Sequence, residues 1–380
     1  MKIVFLHHAN VCRGGIERML CTKANFLAEQ DDFEVTLLTY EQNDTPYPYP
    51  LSPKVKCVDL GVRLYSAYRY HYPMRYFVKR YLRYQLSSAL KGYLNQYKPD
   101  VVVCTDKDAN ELNVLSRVSV KEKLIVEAHT GMIDHWLSVR RATNGFKQFI
   151  AKQELQKLQK AVSKYDILIA LTKEDAECWN PFVNTVIIPN YYITHTDKFA
   201  DLTIEKKRVI SVGRLDYQKG QDMLLQAWAK VGTKHPDWKL DIYGDGTEKM
   251  ALNEQILNLN LKNVTIYPST TDIYSEYQQS DFLVCSSRWE SFGLIIIEAM
   301  SCGIPVVSFD CDNGPRNIIT NGIDGLLAQN GNVEDLAVKM NEILENVSRR
   351  QGMGNNARKN VERFRDENVI KQYQELYQKL

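Results

Sequence analysis

The 380-residue sequence has no apolar run that approaches the ~18 residues of a membrane span. Its opening MKIVFLH is too short for a secretory leader and carries no cleavage site. None of the eight cysteines, at positions 12, 21, 57, 104, 178, 285, 302 and 311, forms a CxxC pair. That argues against a zinc cage or a disulfide framework and points to reduced thiols in a cytosol. With 12 Pro and 19 Gly, no low-complexity stretch and no repeat at a 20–50-residue period, collagen, disorder and solenoid arrays are excluded. Acid is missing altogether between Asp59 and Asp100. No three metal-ligating side chains come together along the chain, so no metal is assigned.

What is present is ordinary for a globular protein: 44% apolar, 25% charged, net charge +2. At ~150 residues per domain the length suggests two domains. Short β-rich runs alternate with amphipathic helical patterns. Strands are expected at Lys2–His7, Glu34–Tyr40, Val55–Leu60, Asp100–Thr105, Leu124–Ala128, Asp166–Thr172 and Thr185–Ile188. The rhythm restarts with Arg208–Val212, Lys239–Tyr243, Val264–Tyr267, Phe282–Ser286, Pro305–Phe309 and Gly325–Leu327. Continuous Val/Ile/Leu strands between helices read as parallel sheets covered on both faces. The expectation is an α/β chain of two tandem Rossmann-like, doubly wound domains, 1–191 and 192–365. A C-terminal helix over 366–380 follows, with Val369, Tyr373, Leu376 and Leu380 on one face.

Four segments carry candidate chemistry. Gly14 and Gly15 follow the first strand and open a helix whose free N–H groups suit an anion. In VGRLDYQKG, Arg214 and Lys219 sit on the loop after Gly213, where open α/β sheets bind ligands. A guanidinium and an ammonium there suit a pyrophosphate. In ESFGLIIIEAM, Glu290 precedes a helix starting near Ser291–Gly293, followed by Leu294, and Glu298 is the only charge in LIIIEAM. Phe292 lies in the same turn. A carboxylate in an apolar helix needs partners, unless Glu298 marks the helix's solvent edge and Glu290 caps it. Finally, His129 ends the strand LIVEA, as a ligand or as a hydrogen-bonded loop histidine. Two D-x-D triplets, Asp106/Asp108 and Asp310/Asp312, are read as chance rather than as metal–diphosphate holders.

GGIER, VGRLDYQKG, ESFGLIIIEAM and SCGIPVVSFDCDNGP occur in one order over the chain. This resembles the retaining GT-B glycosyltransferases of family 4. The resemblance implies two facing Rossmann-like domains with a cleft between them, and a C-terminal helix crossing back to the first. It implies a nucleotide-sugar donor, UDP by family frequency; because Arg214 and Lys219 can neutralise a diphosphate, no cofactor or metal is expected. Arg214 and Lys219 would hold the diphosphate, Glu298 the ribose, Glu290 the transferred sugar. His129 would face that sugar, and Gly14 and Gly15 would line the diphosphate or acceptor. The DCDNGPRNII segment resembles a subgroup that builds surface polysaccharides or lipid-linked glycans, although Asn317 stands where that subgroup often has Glu. A GT-B epimerase or phosphorylase and a non-catalytic nucleotide-sugar-binding scaffold stay open as alternatives.

The acid-free strip holds eight Lys/Arg and nine Tyr between residues 60 and 99, Arg69, Arg75, Lys79, Arg80 and Arg83 among them. A helix is expected after Pro73. Tyrosine suits a membrane–water boundary and cations suit anionic headgroups; no nucleic-acid motif accompanies them. The strip is read as a contact for the cytoplasmic face of a membrane, offering a glycan or polyprenyl-diphosphate-linked acceptor. A solvated helix face is the plain alternative.

Overall fold

The computed structural model describes residues 1–11, 14–106, 108–118, 121–140, 144–193 and 199–380. Cys12 and Lys107, the middle residue of the first D-x-D triplet, lie outside the described residues. The chain divides into two compact units, Met1–Ile188 with Ile370–Leu380, and Pro189–Val369.

In the first unit, the described strands are β1 (Lys2–Leu6), β2 (Glu34–Thr39), β3 (Lys56–Asp59), β4 (Val101–Thr105), β5 (Lys123–Ala128), β6 (Ile167–Ala170) and β7 (Thr185–Ile187). They hydrogen-bond in the order β3-β2-β1-β4-β5-β6-β7, every pair parallel. β4 reads VVVCT with its first four residues buried. Its β-branched side chains fit a pleated surface covered on both faces, where alternation is not needed. The helix Gly15–Ala28 buries Met19, Leu20, Ala24 and Leu27 along one stripe. Leu86, Leu90 and Leu94 of the helix Met74–Tyr97 join Val102, Val126 and Leu168 in the core.

The second unit repeats the plan with β8 (Arg208–Val212), β9 (Lys239–Tyr243), β10 (Val264–Tyr267), β11 (Phe282–Cys285), β12 (Val306–Phe309) and β13 (Gly325–Ala328), in the parallel order β10-β9-β8-β11-β12-β13. Trp228, from the helix Gln221–Lys234, is fully buried against this sheet's core. The helix Asp366–Gln378 passes from the second unit into the first at Ile370.

Both sheets reverse their strand order at one place: between β1 and β4 in the first, between β8 and β11 in the second. On either side of such a switch the connecting loops leave in opposite directions, which opens a crevice at the carboxyl ends of the strands. The loop after β8 carries Arg214 and Lys219, and the loop after β11 carries Glu290. Gly220 closes the first of these at φ +64, and an added Cβ would stand 2.2 Å from the Ser286 carbonyl oxygen. Only glycine allows the two loops to approach this closely.

Candidate functional site

In the second unit the two switch-point loops are laced together. Ser286 Oγ donates to the Lys219 carbonyl at 3.0 Å, and the Arg288 amide donates to the Gln218 carbonyl at 2.8 Å. The Arg288 guanidinium forks onto Asp222 at 2.9 and 2.6 Å. This frame fixes the central contact, Lys219 Nζ to Glu290 Oε1 at 2.6 Å. Ser287 Oγ donates to the same oxygen at 2.7 Å. A Cβ added at Gly213 would stand 3.4 Å from the stem of Lys219. Burial alone would lower the Lys219 pKa, but the Glu290 carboxylate overrides it and raises it, so Lys219 stays an ammonium. The sequence reading had Lys219 and Glu290 as separate ligands; the fold brings them together, 71 residues apart, as one ion pair.

Arg214 differs from Lys219. Its side chain is 71% exposed, 3.3 Å from Asp216 and 3.1 Å from the Gln218 amide oxygen. A guanidinium held this loosely can turn toward an anion without breaking a buried bond.

The helix that follows Glu290 begins at Leu294, not at Ser291, because Gly293 sits in the left-handed region at φ 103 and acts as N-cap without a side chain. The Ile296 amide donates to the Gly293 carbonyl at 3.0 Å, while the amides of Leu294 and Ile295 have no acceptor within the helix. Phe292 is buried edge-to-face against Phe364, with ring centroids 5.5 Å apart. The solvent-edge alternative for Glu298 does not hold. Glu298 is buried, and the buried Tyr277 hydroxyl donates to its Oε2 at 3.3 Å. Nor does Glu290 cap the helix: its carboxylate is taken by Lys219 and Ser287, and its carbonyl accepts from the Gly314 amide. Tyr277 was not singled out in the sequence; nothing in YSEYQQS marks it.

In the first unit, Gly14 is the N-cap of the helix Gly15–Ala28, and its carbonyl accepts from the Arg18 amide and the Tyr49 hydroxyl. At the carboxyl end of β5, His129 Nε2 pairs with Glu127 Oε2 at 3.0 Å, its side chain nearly covered. The other Glu127 oxygen is bonded to the Lys23 ammonium. Lys23 is itself buried, under the rings of Phe5 at 5.1 Å and Tyr373 at 4.2 Å. Burial alone would raise the Glu127 pKa; the Lys23 and His129 charges reverse that and hold it at about 2. Burial draws the Lys23 pKa down against the pull of Glu127. Lys23 escaped the sequence reading because KAN inside a helical stretch looks like a solvent-facing position.

Both D-x-D triplets are engaged locally. Asp108 Oδ1 accepts from the Asn110 amide and side chain, and Asp106 is buried, accepting weakly from the Thr130 amide at 3.4 Å. Asp310 pairs with Arg316 at 2.9 Å, while Asp312 points to solvent. Among the described residues no group of three His, Cys, Asp or Glu side chains could hold a metal ion.

Residues 195–360, which span the switch-point loops and both glutamates, match the family model described as Glycosyl transferases group 1. Over these residues the chain matches the group 1 glycosyltransferases, a match that falls on the second unit. Its two sheets are those of the GT-B fold. The amylovoran biosynthesis glycosyltransferase AmsD of Erwinia amylovora is 25% identical, over 96% of this chain and 95% of its own. A Campylobacter jejuni enzyme named for adding α-1,4-N-acetyl-D-galactosamine to a GalNAc-GalNAc-diNAcBac-PP-undecaprenol is 24% identical, over 99% of this chain and 98% of its own. Among solved structures, S. aureus TarM with Fondaparinux, alpha-GlcNAc-glycerol and UDP superposes at a TM-score of 0.76 with 16% identity, covering 99% of each chain.

The first-unit cluster makes a direct stability prediction. Glu127→Gln leaves the Lys23 ammonium buried without its counter-charge, a loss of about 3–5 kcal/mol at neutral pH. Because the folded-state pKa of Glu127 lies below its unfolded value of 4.5, its contribution is complete above that value and disappears as pH falls toward about 2. Denaturant unfolding of wild type and variant should therefore differ most near neutral pH and converge in acid. A difference that stays constant from pH 7 to pH 3 contradicts the assignment.

Proposed function

We propose that this protein moves a sugar, with retention at the anomeric carbon and without a bound metal, from a UDP-sugar to a glycan or polyprenyl-diphosphate-linked glycan. The synthesis it serves is that of surface polysaccharide. The observation that carries the reading is the Lys219–Glu290 pair, built across the second sheet's switch point with the exposed Arg214 on the same loop.

The chemistry follows from where charge grows. Breaking the bond between the sugar and the diphosphate leaves negative charge on the departing phosphate. Lys219 and Arg214 meet that charge, and donors aimed at developing charge lower the barrier more than donors aimed at the ground state. As the diphosphate takes a share of Lys219, the Glu290 carboxylate gains freedom to accept from the sugar's hydroxyls. Glu298 is the ribose ligand, its carboxylate already steadied by Tyr277. The acceptor hydroxyl attacks from the face the phosphate leaves, and its proton passes to that phosphate, so no protein nucleophile is needed. Support for the donor comes from UDP in TarM, and for the acceptor class from the names of AmsD and the C. jejuni relative.

Two measurements test this reading. In a transfer assay over a panel of UDP-sugars, NMR of the product should show the donor's anomeric configuration, and chelator should leave the rate unchanged. An inverted product, release of an altered UDP-sugar without acceptor, or activity lost in chelator and restored by Mn²⁺ contradicts it. For the ribose contact, Glu298→Gln replaces a charge-assisted acceptor worth about 1.5–3 kcal/mol. Calorimetry should then show UDP affinity falling at least tenfold, and unchanged affinity contradicts the assignment.

A further inference from the structure

Glu127 stands where an aliphatic side chain would be expected. It lies in β5, paired with Thr105 of β4 on one side and Ile169 of β6 on the other. Successive strand residues face opposite sides of a sheet. Glu127 therefore shares its side with Ile125, the side covered by the helix Gly15–Ala28 that carries Lys23. All three polar members of the cluster are shielded: the side chains of Lys23, Glu127 and His129 are 3%, 4% and 6% exposed.

Stability gives no reason for this arrangement. A buried ion pair is no more stable than well-packed apolar side chains of similar volume, and often less so. The turn after β5 does not need it either, because the His129 amide already donates to the Glu127 carbonyl at 3.1 Å.

What the arrangement does is place a hydrogen. Burial works against ionisation of Glu127, but the Lys23 and His129 charges overcome it and hold the pKa at about 2. An ionised carboxylate accepts hydrogen bonds and donates none. One of its oxygens is bonded to the Lys23 ammonium, and the other lies 3.0 Å from His129 Nε2. The hydrogen in that second contact belongs to Nε2. In the neutral ring Nδ1 is then bare, an acceptor on the far side of the imidazole from Glu127. Lys23 supplies the counter-charge a buried carboxylate requires, which leaves Glu127 to serve His129 as a plain acceptor. The rings of Tyr373 at 4.2 Å and Phe5 at 5.1 Å close over the ammonium and keep the pair dry.

We propose that Lys23 and Glu127 are positioning residues, which hold His129 as the tautomer protonated at Nε2 and offer its bare Nδ1 to a hydroxyl of the transferred sugar. This rests on the transfer reading above, with His129 facing that sugar. Lys23 and Glu127 act through the imidazole and do not touch the sugar.

The test is NMR of the whole chain with nitrogen-labelled histidine, the His129 signals being those lost in His129→Gln. At alkaline pH, long-range proton–nitrogen spectra should show hydrogen on Nε2 and none on Nδ1. Glu127→Gln alone strands a buried ammonium, so the informative variant is Lys23→Met with Glu127→Gln, which removes both charges and keeps the volume. An amide can donate to the ring as well as accept from it, so this variant should show both tautomers. Its melting temperature and UDP affinity should stay at the wild-type values. Its kcat should fall about tenfold or more with KM little changed, as when the group that orients a functional histidine is removed. Hydrogen on Nδ1 in the wild type overturns the proposal. So does a double variant that mixes the tautomers yet keeps the wild-type kcat. Wild type that transfers no sugar from any UDP-sugar overturns the transfer reading and the role given to Nδ1, while the spectra still read the tautomer by themselves.

Discussion

Lys219 and Glu290 make the contact on which the second unit's site depends. Each comes from a loop at the carboxyl end of a neighbouring strand, on either side of the point where the sheet reverses its order. Neither group could be carried inward alone, because an unpaired buried charge costs several kcal/mol. Together they are tolerated, and Ser287 fills a further acceptor position on Glu290. On the proposed reading, a diphosphate would offer Lys219 a second anion and leave Glu290 able to turn to hydroxyl donors. Gly220 belongs to the same device, since its left-handed backbone lets the Ser286 carbonyl come close enough for the loops to lock.

The first unit solves a similar problem at the end of β5. Glu127 is shared between Lys23 and His129, so two buried charges and an imidazole form one chain. Lys23 comes from the helix after β1 and is closed over by Tyr373 from the last helix of the chain. The ring orientation of His129 is thereby set by groups from three separate segments. The contrast with Arg214 is instructive. Arg214 is exposed and weakly held, whereas the charges that fix geometry are paired and covered.

Much of the architecture was legible in the sequence because its signals are local. VVVCT or FLVC between glycine-bearing turns and amphipathic stretches can only be a covered parallel strand, and the strand boundaries differ by a residue or two at most ends. Arg214, Lys219, Glu290 and Glu298 stood out because charge in an apolar or glycine-rich context needs a reason. What stayed hidden is pairing across long separations. Lys23 with Glu127 lies 104 residues apart, and Lys219 with Glu290 71. Tyr277 reaches Glu298 only because the fold packs its helix there. The basic strip was visible as composition, but the face it presents was not. Only the burial of Leu86, Leu90 and Leu94 shows that Phe77, Tyr81 and Tyr84 face outward.

The measurement closest to the central claim is a crystal structure of this chain with UDP bound. The expected result is a diphosphate oxygen about 3 Å from Lys219 Nζ, Arg214 drawn from Asp216 toward the same diphosphate, and the Glu298 carboxylate on the ribose hydroxyls. UDP seated away from the loops after β8 and β11, with the Lys219–Glu290 pair unchanged, would contradict it.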